Sequence, residues 1–267
     1  MSHHESALKA QFYLTAPQPC PYLDGREERK VFTTLNGPAA VDVNNSLSAK
    51  GFRRSQSVIY RPACVGCSAC MSIRIPVDRF RPSRSQRRVI RRNADLSRRT
   101  CEAWATEAQY AVFRRYLDHR HADGGMADMD AFDYASMVDE TPVNSSVIEY
   151  TRPDPATGED SLVGACLSDI LGDGLSMVYS FFEPAEQDRS LGAYMILDHI
   201  RLAGEMDLPY VYLGYWVHGS PKMNYKTLYR PFELCDGATW HAFGGVSDYE
   251  AWRAERRQRE TCRTGSL

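Results

Sequence analysis

No apolar run in this 267-residue chain approaches the roughly 18 residues that a membrane-spanning helix needs. The segment from Met1 to Cys20 also lacks the apolar block of a secretory signal. Both absences point to a soluble, cytoplasmic protein. Eight cysteines are too few for a secreted disulfide scaffold of this length. Internal repeats and low-complexity blocks are absent as well, which sets aside solenoid and fibrous architectures. The most telling scarcity is local: between Lys50 and Arg99 the only acidic residues are Asp78 and Asp95.

Against those two acids stand fourteen cations, thirteen of them Arg, an excess of twelve positive charges. The rest of the chain holds eighteen basic and thirty-two acidic residues, so the net charge of −2 conceals a strongly polarised molecule. A clustered positive field repels itself unless a polyanion engages it, and nucleic acid is the natural candidate. Guanidinium suits phosphate because its planar fork donates two parallel hydrogen bonds. Arg84, Arg87, Arg88, Arg91 and Arg92 are therefore candidate RNA contacts.

At the head of this basic stretch Cys64, Cys67 and Cys70 are spaced two residues apart. The run lacks a fourth ligand of its own, since a ferredoxin-type spacing would need a cysteine where Arg74 stands. Cys20 is the distant candidate. Four thiolates suit either zinc or an iron–sulfur cluster, and spacing does not choose between them. Packing or oxidant sensing is the other reading. Cys101, Cys166, Cys235 and Cys262 are isolated and read as small buried hydrophobes.

The apolar pattern predicts short strands at 56–61 and 71–77 around the cysteines. Helices follow at 83–93, 106–121 (capped by Thr106) and 130–138, with a break at Gly124–Gly125. Beyond Pro142, strands at 145–151, 162–170 and 175–182 are separated by turn signals. Next come a helix at 191–206, with Ala193, Ile196, Ile200 and Ala203 on one stripe, and a strand at 210–213. Three antiparallel strands, a helix and a returning strand resemble the order of the N-acetyltransferase (GNAT-like) fold. The expectation is an α+β protein: a GNAT-like mixed sheet flanked by helices over 101–267, with a Cys/Arg-rich α+β unit over 1–100 packed on it.

Two further stretches carry chemistry. From Gly214 to Lys226 the chain leaves a strand, passes a polar turn and enters a short helix predicted to put Lys222 and Lys226 on one face, where an anion would relieve their repulsion. Arg189 to Tyr194 begins a helix as acetyltransferase pyrophosphate loops do. Tyr194, however, stands where those loops have a small residue, which counts against acetyl-CoA.

Phe12 to Pro17, Cys20 to Leu23, Gly51 to Ser55, Tyr60 to Cys70, Phe80 to Arg88, Leu175 to Tyr179, Arg189 to Tyr194, Gly214 to Trp216 and Lys222 to Lys226 together resemble the bacterial aspartate/glutamate leucyltransferases of the arginyl-tRNA–protein transferase family. The resemblance implies transfer of leucine from leucyl-tRNA to the N-terminal Asp or Glu of a protein, which marks the acceptor for degradation. The partners it implies are aminoacyl-tRNA and acidic N-termini, with no membrane and no DNA. Arginine as the moved group and a non-catalytic, metal-stabilised RNA-binding module are the alternatives.

An aminoacyl ester is already activated, so the chemistry needs no cofactor. It needs a positioned amine, a proton acceptor and oxyanion stabilisation. Asp169 is the preferred base and Glu149 the substitute. Tyr179, Tyr194 and Tyr225 are candidates to donate to the ester or stack on the terminal adenine. Preference for Asp and Glu over their amides requires a cation, for which Lys222, Lys226 and Arg189 are candidates.

Overall fold

The computed structural model describes residues 10–120, 128–154, 157–237 and 239–264. The Gly124–Gly125 break and the side chain of Cys262 lie outside the described residues. In chain order the elements are β1 (Tyr13–Leu14), β2 (Gln18–Pro19), β3 (Glu27–Glu28), β4 (Lys30–Thr34), α1 (Ala40–Ser48), β5 (Arg53–Ser55), β6 (Val58–Pro62), β7 (Cys70–Pro76) and α2 (Arg84–Arg92). They continue with β8 (Ser97–Glu102), α3 (Glu107–Arg120), α4 (Ala131–Asp139), β9 (Ser145–Pro153), β10 (Asp160–Leu171), β11 (Gly174–Phe182), α5 (Leu191–Glu205), β12 (Tyr210–Val217), β13 (Phe232–Cys235), β14 (Trp240–Phe243) and α6 (Val246–Thr264). Two 3-10 helices, Pro184–Arg189 and Pro221–Leu228, precede α5 and follow β12.

The dominant layer is an eight-stranded mixed sheet in the order β14-β13-β7-β12-β11-β10-β9-β8. β9, β10 and β11 form the expected meander, and the two-residue turn Gly172–Asp173 closes its second hairpin. β11 and β12 are parallel, so a crossover must join them, and α5 supplies it. Ile196, Ile200 and Ala203 of the predicted stripe are buried, with Ala193 half-buried. The N-acetyltransferase-type order anticipated from the sequence is thus present. Among the described residues no helix is long and apolar enough to cross a membrane.

The two expected units share this sheet. β7 lies between β13 and β12, and its last six residues are all buried. Such continuous burial means that both faces of the strand are covered. The expected boundary near Thr100 falls inside β8, which pairs with β9 at the sheet edge. Of the remaining N-terminal strands, β1-β4-β6-β5 form a separate sheet over a small core of Leu35, Leu47, Phe52 and Ile59, and β2 pairs with β3 alone.

Two helix starts follow directly from local sequence. At α2 the Ser83 hydroxyl accepts from the Gln86 amide while the Gln86 side chain accepts from the Ser83 amide. At α3 Thr106 and Gln109 make the same reciprocal pair, each bond at 3.2 Å.

Candidate active site

The parallel pairing of β11 with β12 covers only Gly174–Ser176 against Tyr210–Tyr212. Beyond it the strands part, and β12 shifts register against β7 between Tyr212 and Tyr215. In sheets with parallel strands, ligand crevices open beyond the carboxyl ends of such strands. Parting also leaves strand carbonyls without ladder partners, and unpaired buried carbonyls are costly.

Two cations fill this role. Arg53, from β5, donates through Nη2 to the Val178 carbonyl of β11 at 2.7 Å. Lys226, from the second 3-10 helix, donates through Nζ to the Tyr215 carbonyl of β12 at 2.7 Å. Arg53 fits because Gly214 sits at φ +73°, and a Cβ there would lie 1.3 Å from Arg53 Nη1. The glycine therefore serves both the backbone bulge and the guanidinium passage. Lys226 is only 5 % exposed. Burial first, and the Arg53 charge second, pull its ammonium from 10.5 down to about 7. Tyr225, half exposed, lies beside it with its ring centroid 5.8 Å from Nζ.

The expected face shared by Lys222 and Lys226 does not form. Their segment is a 3-10 helix with three residues per turn, so positions four apart diverge, and Lys222 is exposed while Lys226 is buried. Arg189 faces the α2 side, bonded to Asn93 at 3.1 Å and paired with Asp95 and Glu186. Tyr194 is buried edge-to-face on Tyr150. Tyr179 lies on the diverging part of β11 against Phe113 and Phe181.

Of the two carboxylates, Asp169 is 1 % exposed, and both of its oxygens accept from Arg54 at 2.6 Å. The Ser145 hydroxyl donates to it as well. Adjacent arginines thus divide their work: Arg53 enters the opened pair and Arg54 ties the smaller sheet to Asp169. Glu149 lies on β9, two strands from β11, or about 10 Å at usual strand spacing. Burial would raise its carboxyl, but donors from Gln109 and Arg99 outweigh that and hold it below the ordinary carboxylate range. Neither acid faces the opening as a free base. Arg53 is a cation of the gap that the sequence pattern did not single out; its signal was its place in Gly51 to Ser55.

Another grouping is sealed. Cys166, Ser168 and His199 are connected, with Ser168 Oγ 2.9 Å from His199 Nε2, and none is more than 1 % exposed. Burial holds His199 near 4, so it stays neutral and structural.

Arg84, Arg87, Arg88, Arg91 and Arg92 are all exposed on α2. Gln86, on the buried side of that helix, donates to the Leu228 carbonyl at 3.1 Å, fastening α2 to the segment that carries Lys226. The basic helix therefore borders the cleft.

The thiols of Cys20, Cys64 and Cys67 lie close enough to Cys70 to add to its burial, which pushes that thiol up to about 12. Among the described residues, however, no group of three or more His, Cys, Asp or Glu is arranged as a metal shell. The donors suit a soft metal and are gathered in one place without being drawn into ligand geometry.

A parallel pair opened behind a crossover helix, with cations in the gap and a basic helix beside it, defines an acyl-transfer scaffold suited to an RNA-borne donor. Family profiles agree: residues 18–88 match "Arginine-tRNA-protein transferase, N terminus" and residues 108–236 match "Arginine-tRNA-protein transferase, C terminus". The chain belongs to the arginine-tRNA-protein transferase family. It is 59 % identical over 93 % of its length to a Cereibacter sphaeroides protein named aspartate/glutamate leucyltransferase, 89 % of which is covered. A Ruegeria pomeroyi protein of the same name is 57 % identical over 94 % of this chain and 90 % of its own. Among solved structures, the crystal structure of FemX overlaps 77 % of this chain and 67 % of its own, at 9 % identity and a TM-score of 0.46.

Proposed function

We propose that this protein transfers leucine from leucyl-tRNA to the N-terminal Asp or Glu of acceptor proteins in the bacterial cytoplasm, producing a peptide bond that marks the acceptor for degradation. The observation that carries the reading is the 59 % identity, over most of both chains, to a relative named for that activity. The cleft supplies a matching chemistry.

The acceptor α-amine attacks the leucyl ester carbonyl, the new C–N bond forms, and the C–O bond to the terminal ribose breaks. One proton must leave the amine and one must reach the ribose oxygen. Lys226 is suited to carry that proton, because an amine held near 7 is about half neutral at physiological pH. Asp169 is less suited, since its oxygens are occupied by Arg54. Arg53 serves as the cation that prefers an acidic acceptor side chain, because an amide there would leave this half-buried positive charge without a counter-charge. The exposed arginines of α2 hold the RNA backbone.

Cys20, Cys64, Cys67 and Cys70 are the residues that would hold a zinc ion or an iron–sulfur cluster. Such a group would act structurally, clamping the segment after β2 to the loop before β7.

The deciding experiment offers the protein leucyl-tRNA and arginyl-tRNA, each with an Asp-starting peptide and its Asn counterpart. Leucine appears on the Asp peptide alone. Arginine transfer in its place would reassign the donor, and no transfer at all would leave an RNA-binding module.

A further inference from the structure

The sealed grouping of Cys166, Ser168 and His199 takes no part in the reaction, yet each of its protons has one direction to point. His199 Nδ1 lies 2.7 Å from the Met195 carbonyl, which only accepts, so that nitrogen carries the hydrogen. Burial keeps the ring neutral, and Nε2 is then the acceptor for the Ser168 hydroxyl at 2.9 Å. Having donated, Ser168 Oγ accepts from the Cys166 thiol at 3.3 Å, which burial holds protonated. Beside them the Tyr150 hydroxyl donates to Asp198 at 3.0 Å, and Asp198 also pairs with Arg98 and Arg201.

Cys166 and Ser168 belong to β10, Tyr150 to β9, and Asp198 and His199 to α5, so the network ties the crossover helix to the sheet. Stability alone does not require it, because an apolar pair of the same shape in place of a buried hydrogen-bonded pair is close to neutral. What apolar packing lacks is direction: it tolerates small slides and rotations that a bond between fixed atoms does not. The Ser168 bond also falls at the irregular point of the sheet. There Leu167 faces Tyr179 and Ser168 faces Met177, so Val178 is left as a bulge without a partner on β10. The Val178 carbonyl is the one that holds Arg53, at 2.7 Å.

We propose that Ser168 and His199 are positioning residues: their bond fixes α5 and β10 at the Val178 bulge, sets the aim of Arg53 into the gap between β11 and β12, and so tunes the preference for an acidic acceptor. The proposal rests on the leucyl-transfer reading, in which Arg53 selects the acceptor, and deepens it. Ser168 is 1 % exposed and touches no substrate, so it acts through the bulge. A small shift of the strands there moves the carbonyl on which the guanidinium rests, and with it the donors left for the acceptor.

The test compares Ser168→Val with Ser168→Thr. The two side chains have the same branched shape and only Thr keeps the hydroxyl, so the pair separates the bond from the space it occupies. Each is assayed below its melting range for kcat and KM with an Asp-starting peptide, its Asn counterpart and leucyl-tRNA. In Ser168→Val the preference for Asp over Asn is expected to fall about tenfold through a raised KM for the Asp peptide, with the KM for leucyl-tRNA unchanged, whereas Ser168→Thr stays within about twofold of the unaltered protein. If Ser168→Val does not fold, Ser168→Ala must show the same loss. Equal losses in Val and Thr would overturn the proposal. So would a lowered melting temperature with the Asp preference intact, which is what a purely structural bond predicts. A second readout needs no substrate: the guanidinium nitrogen resonances of Arg53, assigned by their absence in Arg53→Lys, are expected to show restrained rotation in the unaltered protein and in Ser168→Thr, and free rotation in Ser168→Val. Absence of transfer by the unaltered protein would defeat the leucyl-transfer reading instead, and the Arg53 resonances would then decide the positioning role alone.

Discussion

Gly214 and Arg53 depend on each other more closely than any other pair in the cleft. A methyl at position 214 would occupy the space of the guanidinium and would also stand at positive φ. Gly214→Ala is expected to cost about 2–4 kcal/mol by thermal denaturation and to remove transfer activity even below its melting range. Lys226 gives a pH signature. Between its folded value near 7 and the ordinary 10.5, the unfolded chain holds the extra proton, so this group makes the fold gain stability as pH rises through that window. Below pH 7 its burial cost is fully present. Lys226→Met should therefore flatten the pH 7–10 stability profile, while leaving the Tyr215 carbonyl without its donor, a cost of about 1–3 kcal/mol that offsets the relief of the buried charge. Transfer rate in the unaltered protein should climb through pH 7, and in the variant it should fall by roughly 100-fold or more. Asp169→Asn separates anchoring from proton transfer. Loss of the buried pair with Arg54 is expected to cost about 3–5 kcal/mol, while the molecules that remain folded keep their transfer rate. A collapse of rate without loss of stability would restore Asp169 as the base. The sequence placed Asp169 on its strand but not its partner, because Arg54 is 115 positions away and nothing local announces the pairing.

At the scale of elements, legibility followed the range of the forces involved. The cap of α3 was readable because Thr106 with Gln109 satisfies helix amides within three residues, and Ser83 with Gln86 closes the start of α2 by the same local pairing. The meander was readable from its apolar runs and from turn signals such as Gly172–Asp173. The segment after β12 was not, since an α-helix and a 3-10 helix share their composition and differ here in which lysine is buried. Burial of Lys226 is set by β12 and Arg53, which no window around the lysine contains. α2 presents its arginines as a charged surface rather than as ion pairs on its own helix. Arg87→Ala with Arg91→Ala is accordingly expected to weaken tRNA binding and to reduce the salt slope by about two, with the preference for Asp over Asn unchanged in peptide competition.

For the molecule as a whole, the polarised charge seen in the sequence is carried in part by α2, whose five arginines are exposed beside the cleft. The two-unit expectation met a fold in which β7 is a central strand of the larger sheet. Its buried Ser72 and Arg74 masked that position, because polar residues inside a strand read as an exposed edge; here Arg74 is buried against Glu233 at 2.8 Å and Tyr212 at 3.0 Å. Cys70 begins that strand, so the thiol cluster is attached to the centre of the molecule. If a metal occupies it, Cys67→Ser should lose bound zinc or iron by elemental analysis and lower the melting temperature of the entire protein in one transition.

The place of β7 also governs how the chain must be made. Its neighbours β12 and β13 are encoded about 140–160 residues downstream, as the pairs Ser72–Tyr215 and Glu233–Arg74 record. At ordinary elongation speeds the ribosome needs on the order of ten seconds to deliver them. Throughout that interval an apolar segment with two unsatisfied edges waits outside the exit tunnel, so nascent chains released early should aggregate or recruit chaperones rather than yield a usable amino-terminal half.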